Sequence, residues 1–137
     1  MYSPNESTAP PSCARLILVD DHDLLRESLR SMLECERGLQ IVAEARDGQE
    51  AIELCLLHHP DLVLMDMRMP RVNGFEATRR IKEQLSTTKV LLMSAYHNLE
   101  YVSEAIRAGA EGFVPKLAPL EELHEAVRGC FKKSFDT

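Results

Sequence analysis

No apolar run in this 137-residue chain approaches the ~20 residues needed to cross a bilayer, so no transmembrane segment is expected. The stretch Met1–Ala14 is rich in proline and serine but has no apolar h-region, which argues for a flexible leader and against a signal peptide. The four cysteines (Cys13, Cys35, Cys55 and Cys130) form no CxxC pair, and no histidine stands at metal spacing from them. That speaks against a zinc site and for a reduced thiol set in the cytoplasm. The adjacent pair His58-His59 falls at an expected helix end, where neighbours point different ways. There is no basic stripe either. The net charge is -6, and the one short basic cluster, Lys132-Lys133 beside Arg128, suits a solvated helix end. Nucleic acid is therefore not an expected partner of this domain. There is no internal repeat, no sign of a second domain, and little chain beyond the last expected helix to hold an output domain.

What is present has the balance of a globular domain, 45% hydrophobic and 28% charged. Two kinds of segment alternate. Arg15–Asp20, Leu62–Asp66 and Lys89–Ser94 are short, nearly continuous apolar runs. Leu39–Ala45 is weaker and half alternating, and Gly112–Lys116 is short. Runs of this kind suit strands buried on both faces of a parallel sheet. Between them lie helical spacings: Leu25, Leu29, Met32 and Leu33; Ile52, Cys55 and Leu56, closed by Pro60; Ala77, Ile81 and Leu85; Leu99, Val102, Ala105 and Ile106, stopped near Gly109; and Leu120, Leu123, Val127 and Phe131, opening after Pro119. Five strands alternating with five helices predict an α/β fold of flavodoxin-like order 2-1-3-4-5. The expected boundaries are a leader over 1–14, the domain over 15–132 and a tail over 133–137.

Ligands in such sheets bind beyond the carboxyl ends of the strands. Strand 1 ends in Asp20-Asp21, strand 3 in Asp66, strand 4 in Ser94 and strand 5 in Lys116, while strand 2, away from the crevice, delivers no such group. Three crowded carboxylates repel unless a cation relieves them. Mg²⁺ takes oxygen ligands and is held by one or two carboxylates plus phosphate oxygens, so Asp20, Asp21 and Asp66 suit it. Asp66 is then placed as a nucleophile toward phosphorus, with Lys116 and the Ser94 hydroxyl to meet the phosphoryl oxygens. Taken singly, each residue has a plainer reading: Asp21 or Asp23 as a helix cap, Ser94 as a cap, Lys116 as a surface lysine, His22 as a first-turn residue, and Met65, Met67 and Met69 as packing and loop residues. The joint arrangement is what points to phosphoryl chemistry.

The motifs Leu18-Val19-Asp20-Asp21-His22, Leu64-Met65-Asp66-Met67-Arg68-Met69-Pro70, Asn73-Gly74, Ser94-Ala95, Ala108-Gly109-Ala110 and Gly112-Phe113-Val114-Pro115-Lys116 resemble the response-regulator receiver domain of two-component signalling over about Arg15 to Phe131. The flavour resembles receivers attached to helix-turn-helix transcription factors of the NarL/LuxR type. The resemblance implies Asp66 as phosphoacceptor and Asp20 and Asp21 as the Mg²⁺ pair, with the Arg68 carbonyl as a further ligand. It implies Ser94 and Phe113 as switch residues, a histidine kinase or phosphotransfer protein as donor, and self-catalysed phosphorylation and dephosphorylation rather than turnover of a substrate. It also implies a switching surface over helix 4, strand 5 and helix 5, dimerisation on phosphorylation, and contact with DNA only through an output domain.

Two departures stand out. Many receivers carry Lys-Pro, often cis; here Pro115 precedes Lys116 and Leu117 follows. A cis bond before Leu117 would cost roughly 2.5–4 kcal/mol, against about 0.5–1 before proline, so the sequence leaves the isomer open. Pro115 itself suits an edge strand. The resemblance also implies that Arg68 and Tyr96 occupy positions flanking the phosphoryl site, where they are expected to screen it from water. Three rivals are weaker. A haloacid-dehalogenase-type hydrolase wants an acid two residues after the nucleophile, where Arg68 stands. A flavodoxin-like flavin carrier wants a phosphate loop, where acids stand. A phosphorylation-independent interaction module of receiver shape would be expected to lack one of the five site residues.

Overall fold

The computed structural model describes residues 13–95 and 99–132. The expected leader up to residue 12, Tyr96, Lys133 and the expected tail 133–137 lie outside the described residues. Strands β1 (Ala14–Val19), β2 (Leu39–Ala45), β3 (Leu62–Asp66), β4 (Lys89–Ser94) and β5 (Gly112–Pro115) form a parallel sheet in the order β2-β1-β3-β4-β5. They alternate with helices α1 (Asp23–Glu34), α2 (Gly48–His58), α3 (Gly74–Gln84), α4 (Leu99–Ala108) and α5 (Leu120–Lys132). This is the expected flavodoxin-like arrangement.

The apolar runs are strands because both of their faces are covered. Ile17, Val19, Val63, Met65, Val90 and Leu92 point to one face, where α2, α3 and α4 supply Ala51, Ile52, Cys55, Ala77, Ile81 and Ala105. Leu16, Leu18, Leu62, Leu64, Leu91 and Met93 point to the other, against Leu29 and Leu33 of α1 and Leu123, Val127 and Cys130 of α5. The period of two in the strands thus feeds two separate cores. Burial pushes the Cys55 thiol up to about 12, so it behaves as a small apolar filler. β2 at one edge is only half-buried, which explains its weaker pattern.

Helix ends are set locally. Asp47 caps α2 by accepting the Glu50 N–H at 2.8 Å, and Asn73 caps α3 by accepting the Glu76 N–H at 2.9 Å. Gly109 follows α4 at φ 101, a left-handed stop that suits glycine. Strand β1 begins at Ala14, one residue before the apolar run, because the Ala14 N–H donates to the Gly38 carbonyl at 2.6 Å.

The helices stand where the spacings put them, but not every residue of a spacing is buried. Leu99 is 84% exposed and Ile106 67% exposed, so neither lies on the buried face of α4. That helix packs against α3 and β5, and Ala105 is its one buried residue. Leu56 of α2 and Leu120 of α5 are also exposed. Each of these helices is apolar over a wider arc than its neighbours cover.

Candidate functional site

The site begins where β1 leaves the sheet. Asp20 is fully buried, and its N–H donates to the Ala45 carbonyl of β2 at 3.0 Å. Its own carbonyl accepts from Arg26 Nη1 at 2.7 Å, and Arg26 also donates from Nε to Glu44 Oε1 at 2.9 Å. The backbone at Asp20 is therefore pinned from both neighbouring elements. Neither Asp21 nor Asp23 caps α1; His22 holds the cap position, with no side-chain cap bond. Its N–H donates to Asp20 Oδ1 at 2.8 Å.

Asp66, at the end of β3, is 3% exposed. Its Oδ1 accepts from the Arg68 N–H at 3.3 Å and its Oδ2 from Lys116 Nζ at 2.8 Å. Lys116 Nζ also forms an ion pair with the buried Asp20 Oδ2 at 3.3 Å. Lys116 reaches the pocket from beyond β5 because its N–H donates to the Ser94 carbonyl at 2.7 Å. All described peptide bonds are trans, including the one before Leu117. Ser94 is buried at the end of β4, as expected from its place in the run. Phe113 is half-buried on β5 and packs against the core under α2, α3 and α4.

Charge in the pocket is unbalanced. Burial pushes the Asp66 carboxyl above its ordinary value; the Lys116 hydrogen bond opposes this, and the Asp20 charge adds to it. Burial works against the Lys116 charge, but Asp66 and Asp20 outweigh it and hold the ammonium above its ordinary value. Ligand atoms of Asp20, Asp21, Asp66 and His22 all lie within 4.8 Å of one another. Three carboxylates facing one ammonium are a set that a hard divalent cation fits.

Several features of the site were not anticipated. The imidazole of His22 faces the acids: Nδ1 lies 3.4 Å from Asp20 Oδ1, 3.3 Å from Asp21 Oδ1 and 3.4 Å from Lys116 Nζ. Arg71, in the loop after β3, adopts the left-handed conformation at φ 67 and pairs with the buried Asp47 at the start of α2. These partners are 24 residues apart, and nothing in their spacing announces them. Two glycines let the same loop pack. A Cβ on Gly74 would stand 2.7 Å from the Asp66 carbonyl oxygen, and one on Gly48 2.1 Å from the Val72 carbonyl oxygen. The motif Asn73-Gly74 held half of that information.

A 2-1-3-4-5 parallel sheet with an acidic pocket and a lysine at its carboxyl edge defines a receiver-type α/β domain. The chain belongs to the response regulator receiver domain family, whose model matches residues 16–128. It is 36% identical to the signal receiver domain of the putative response regulator NarL from Mycobacterium tuberculosis, with a TM-score of 0.84 over 89% of this chain and 98% of that one. A LuxR-family two-component response regulator from Aurantimonas is 38% identical, with a TM-score of 0.82 over 85% of this chain and 84% of that one. The transcriptional regulatory protein DegU of Brevibacillus brevis is 38% identical over 83% of this chain and 48% of its own length. The response regulator UvrY of Escherichia coli K12 is 35% identical over 85% of this chain and 53% of its own length. The chain thus spans about half the length of these curated relatives. Phosphorylation-based switching is the function of the family, which is a signalling family, and its domains generally bind Mg²⁺ at an acidic pocket. No described helix is long and apolar enough to cross a membrane.

Proposed function

We propose that this chain accepts a phosphoryl group on Asp66 from a phosphohistidine of a histidine kinase or phosphotransfer protein. The observation that carries this is the buried Asp66 carboxylate held between the Arg68 N–H and Lys116 Nζ, beside the buried Asp20 carboxylate that the same ammonium pairs with. An Asp66 oxygen attacks phosphorus, the new P–O bond forms, and the P–N bond to the donor imidazole breaks, its electron pair leaving with the nitrogen. Lys116 would hold a positive charge against the transferring oxygens, and the Ser94 hydroxyl would donate to them. Asp20, Asp21, Asp66 and the Arg68 carbonyl would hold Mg²⁺, which supplies charge neutralisation to the phosphoryl oxygens. The same pocket would release the group to water, with Arg68 restricting access.

The phosphoryl group adds about -1.5 to -2 of charge. That charge draws on Ser94 and Lys116, and Phe113 of β5 relays the change to the surface of α4, β5 and α5. The exposed Leu99, Ile106 and Leu117 lie on these elements or next to them and suit a protein partner, including a second copy of the chain. Control of transcription through an attached helix-turn-helix domain, in the cytoplasm, follows as the output. The rival module that works without phosphorylation has no observation in its favour. Incubation with acetyl phosphate and Mg²⁺ followed by intact mass tests the reading. One phosphoryl group on the parent and none on Asp66→Ala supports it; no addition to the parent refutes it.

A further inference from the structure

Arg71 takes no part in the proposed reaction, yet its backbone is held where a side chain is unusual. Its φ is 67, in the left-handed region that glycine and asparagine enter more readily. Its guanidinium pairs with the buried carboxylate of Asp47, the N-cap of α2. The loop so tied is the one that leaves Asp66. Its two ends are pinned by backbone: the Met67 N–H donates to the Met93 carbonyl at 2.9 Å and the Gly74 N–H to the Met67 carbonyl at 2.8 Å. Between those ends the Arg68 N–H donates to Asp66 Oδ1 at 3.3 Å, a long bond that a small movement of the loop would break. Lys116 Nζ takes Oδ2, so the two donors together fix the plane of the Asp66 carboxylate. An independent contact also brings this loop against α2: a Cβ on Gly48 would overlap the Val72 carbonyl oxygen.

We propose that Arg71, through its ion pair with Asp47, is a positioning residue for the phosphoacceptor: it holds the β3–α3 loop so that the Arg68 N–H stays on Asp66 Oδ1. An ion pair with both partners in water holds little. Here the guanidinium is 70% exposed but the Asp47 side chain only 8%, so losing the pair leaves a charge buried. Residues kept in sparsely populated backbone regions persist only where their surroundings over-determine them, and they gather at functional sites. Glycine at this position would relax the backbone and give up the tie. The loop would then drift from Asp66, and the carboxylate would turn about its Lys116 contact. Fewer of its orientations would face the donor phosphorus, so the rate of attack falls while donor binding does not. The pair acts from outside the acidic pocket and touches none of the reacting atoms.

The proposal rests on the phosphoacceptor reading, and a readout that needs no phosphoryl donor separates the two. The full chain is compared with Arg71→Gly, Arg71→Lys, Asp47→Asn and the double variant Arg71→Gly/Asp47→Asn. Arg71→Gly keeps the left-handed backbone and removes the guanidinium; Asp47→Asn keeps an oxygen for the Glu50 N–H and removes the charge. Phosphoryl uptake is followed by intact mass over a range of acetyl phosphate concentrations at fixed Mg²⁺, and hydrogen exchange of the Arg68 amide by NMR. In Arg71→Gly the maximal uptake rate should fall about 10-fold, short of the roughly 100-fold that a 1 Å misplacement can cost, with the half-saturating acetyl phosphate concentration unchanged. Exchange of the Arg68 amide should quicken at least about tenfold while the amides of β4 keep their protection. Arg71→Lys, which keeps a cation, should recover part of both losses. In the Asp47→Asn background Arg71→Gly should cost nothing more, because the two residues act as one unit. A maximal rate within about twofold of the parent, an equal loss from Arg71→Gly in both backgrounds, or unchanged Arg68 exchange overturns the proposal and leaves the phosphoacceptor reading standing. Faster Arg68 exchange in a chain that no donor labels would uphold the hold of Arg71 on the loop and sink the phosphoacceptor reading instead.

Discussion

Lys116 Nζ lies 2.8 Å from Asp66 Oδ2 and 3.3 Å from Asp20 Oδ2, so one ammonium from the edge of the sheet serves two buried carboxylates near its centre. Its removal should leave the acids repelling each other and the phosphoryl oxygens without their cation. For Lys116→Ala, the initial rate of phosphoryl uptake from acetyl phosphate should fall on the order of 100-fold, the usual loss for one preorganised donor. Time courses by intact mass measure it, and a rate within twofold of the parent contradicts the assigned role.

Asp66 and Asp47 should give opposite pH dependences. The Asp66 carboxyl is held above 3.8, chiefly by burial, with Lys116 opposing. Folding therefore favours its protonated form; that stability is complete below 3.8 and is lost as pH rises through the raised value. The Asp47 carboxyl is held below 3.8, first by the Glu50 N–H, against burial, and then by Arg71. Its stability is present above 3.8 and is lost as pH falls through the lowered value. Urea melts without divalent ions should show Asp66→Asn gaining on the parent as pH rises from the carboxylate range toward neutrality. Asp47→Ala should lose about 0.5–2 kcal/mol at neutral pH and less in acid. A gap between Asp66→Asn and the parent that does not change with pH contradicts the first expectation.

Mg²⁺ should stabilise the fold by binding the native pocket and not the open chain. At about 100 times the dissociation constant the gain is about 2.7 kcal/mol. Thermal melts of the parent should rise with added Mg²⁺, while those of Asp20→Asn should move far less. Equal shifts in both would remove Asp20 from the metal set.

Two glycines should respond in opposite ways to alanine. At Gly74 the new Cβ meets the Asp66 carbonyl oxygen at 2.7 Å and Met67 Cα at 2.8 Å, so the backbone carrying Asp66 must shift. A loss of about 1–3 kcal/mol is expected, with slower phosphoryl uptake. At Gly129, inside α5, a Cβ meets nothing within 4 Å, and the gain in helix propensity should be about 0.8–1 kcal/mol. Denaturant melts of the two variants give the comparison directly.

Arg68 follows Asp66 by two residues, is exposed, and donates its N–H to Asp66 Oδ1. If it limits the approach of water, Arg68→Ala should shorten the phosphoryl lifetime severalfold at fixed Mg²⁺. Decay of the phosphorylated mass after removal of the donor measures this, and an unchanged lifetime excludes a screening role.

Much of the site could be read from the sequence because strands buried on both faces turn polar only where the chain leaves the sheet. Asp20, Asp66, Ser94 and Lys116 each close such a run, and the parallel order puts those ends on one edge. What could not be read depends on direction and distance. The His22 ring faces Asp20 and Asp21 because of the backbone at the α1 cap, not because of its neighbours' identity. The Arg71–Asp47 pair joins two loops through tertiary packing alone. Leu99 and Ile106 fit a helical stripe, but periodicity does not say which stripe meets the sheet.

The central claim is that Asp66 carries the phosphoryl group. The most direct measurement is to phosphorylate the chain with acetyl phosphate and Mg²⁺, reduce it with borohydride, and sequence the peptides by mass. An aspartyl phosphate is reduced to homoserine, so the account predicts homoserine at position 66, dependent on Mg²⁺ and found at no other acid. Homoserine at Asp20 or Asp21, or a phosphoryl group that resists borohydride on a hydroxyl or histidine, would contradict it.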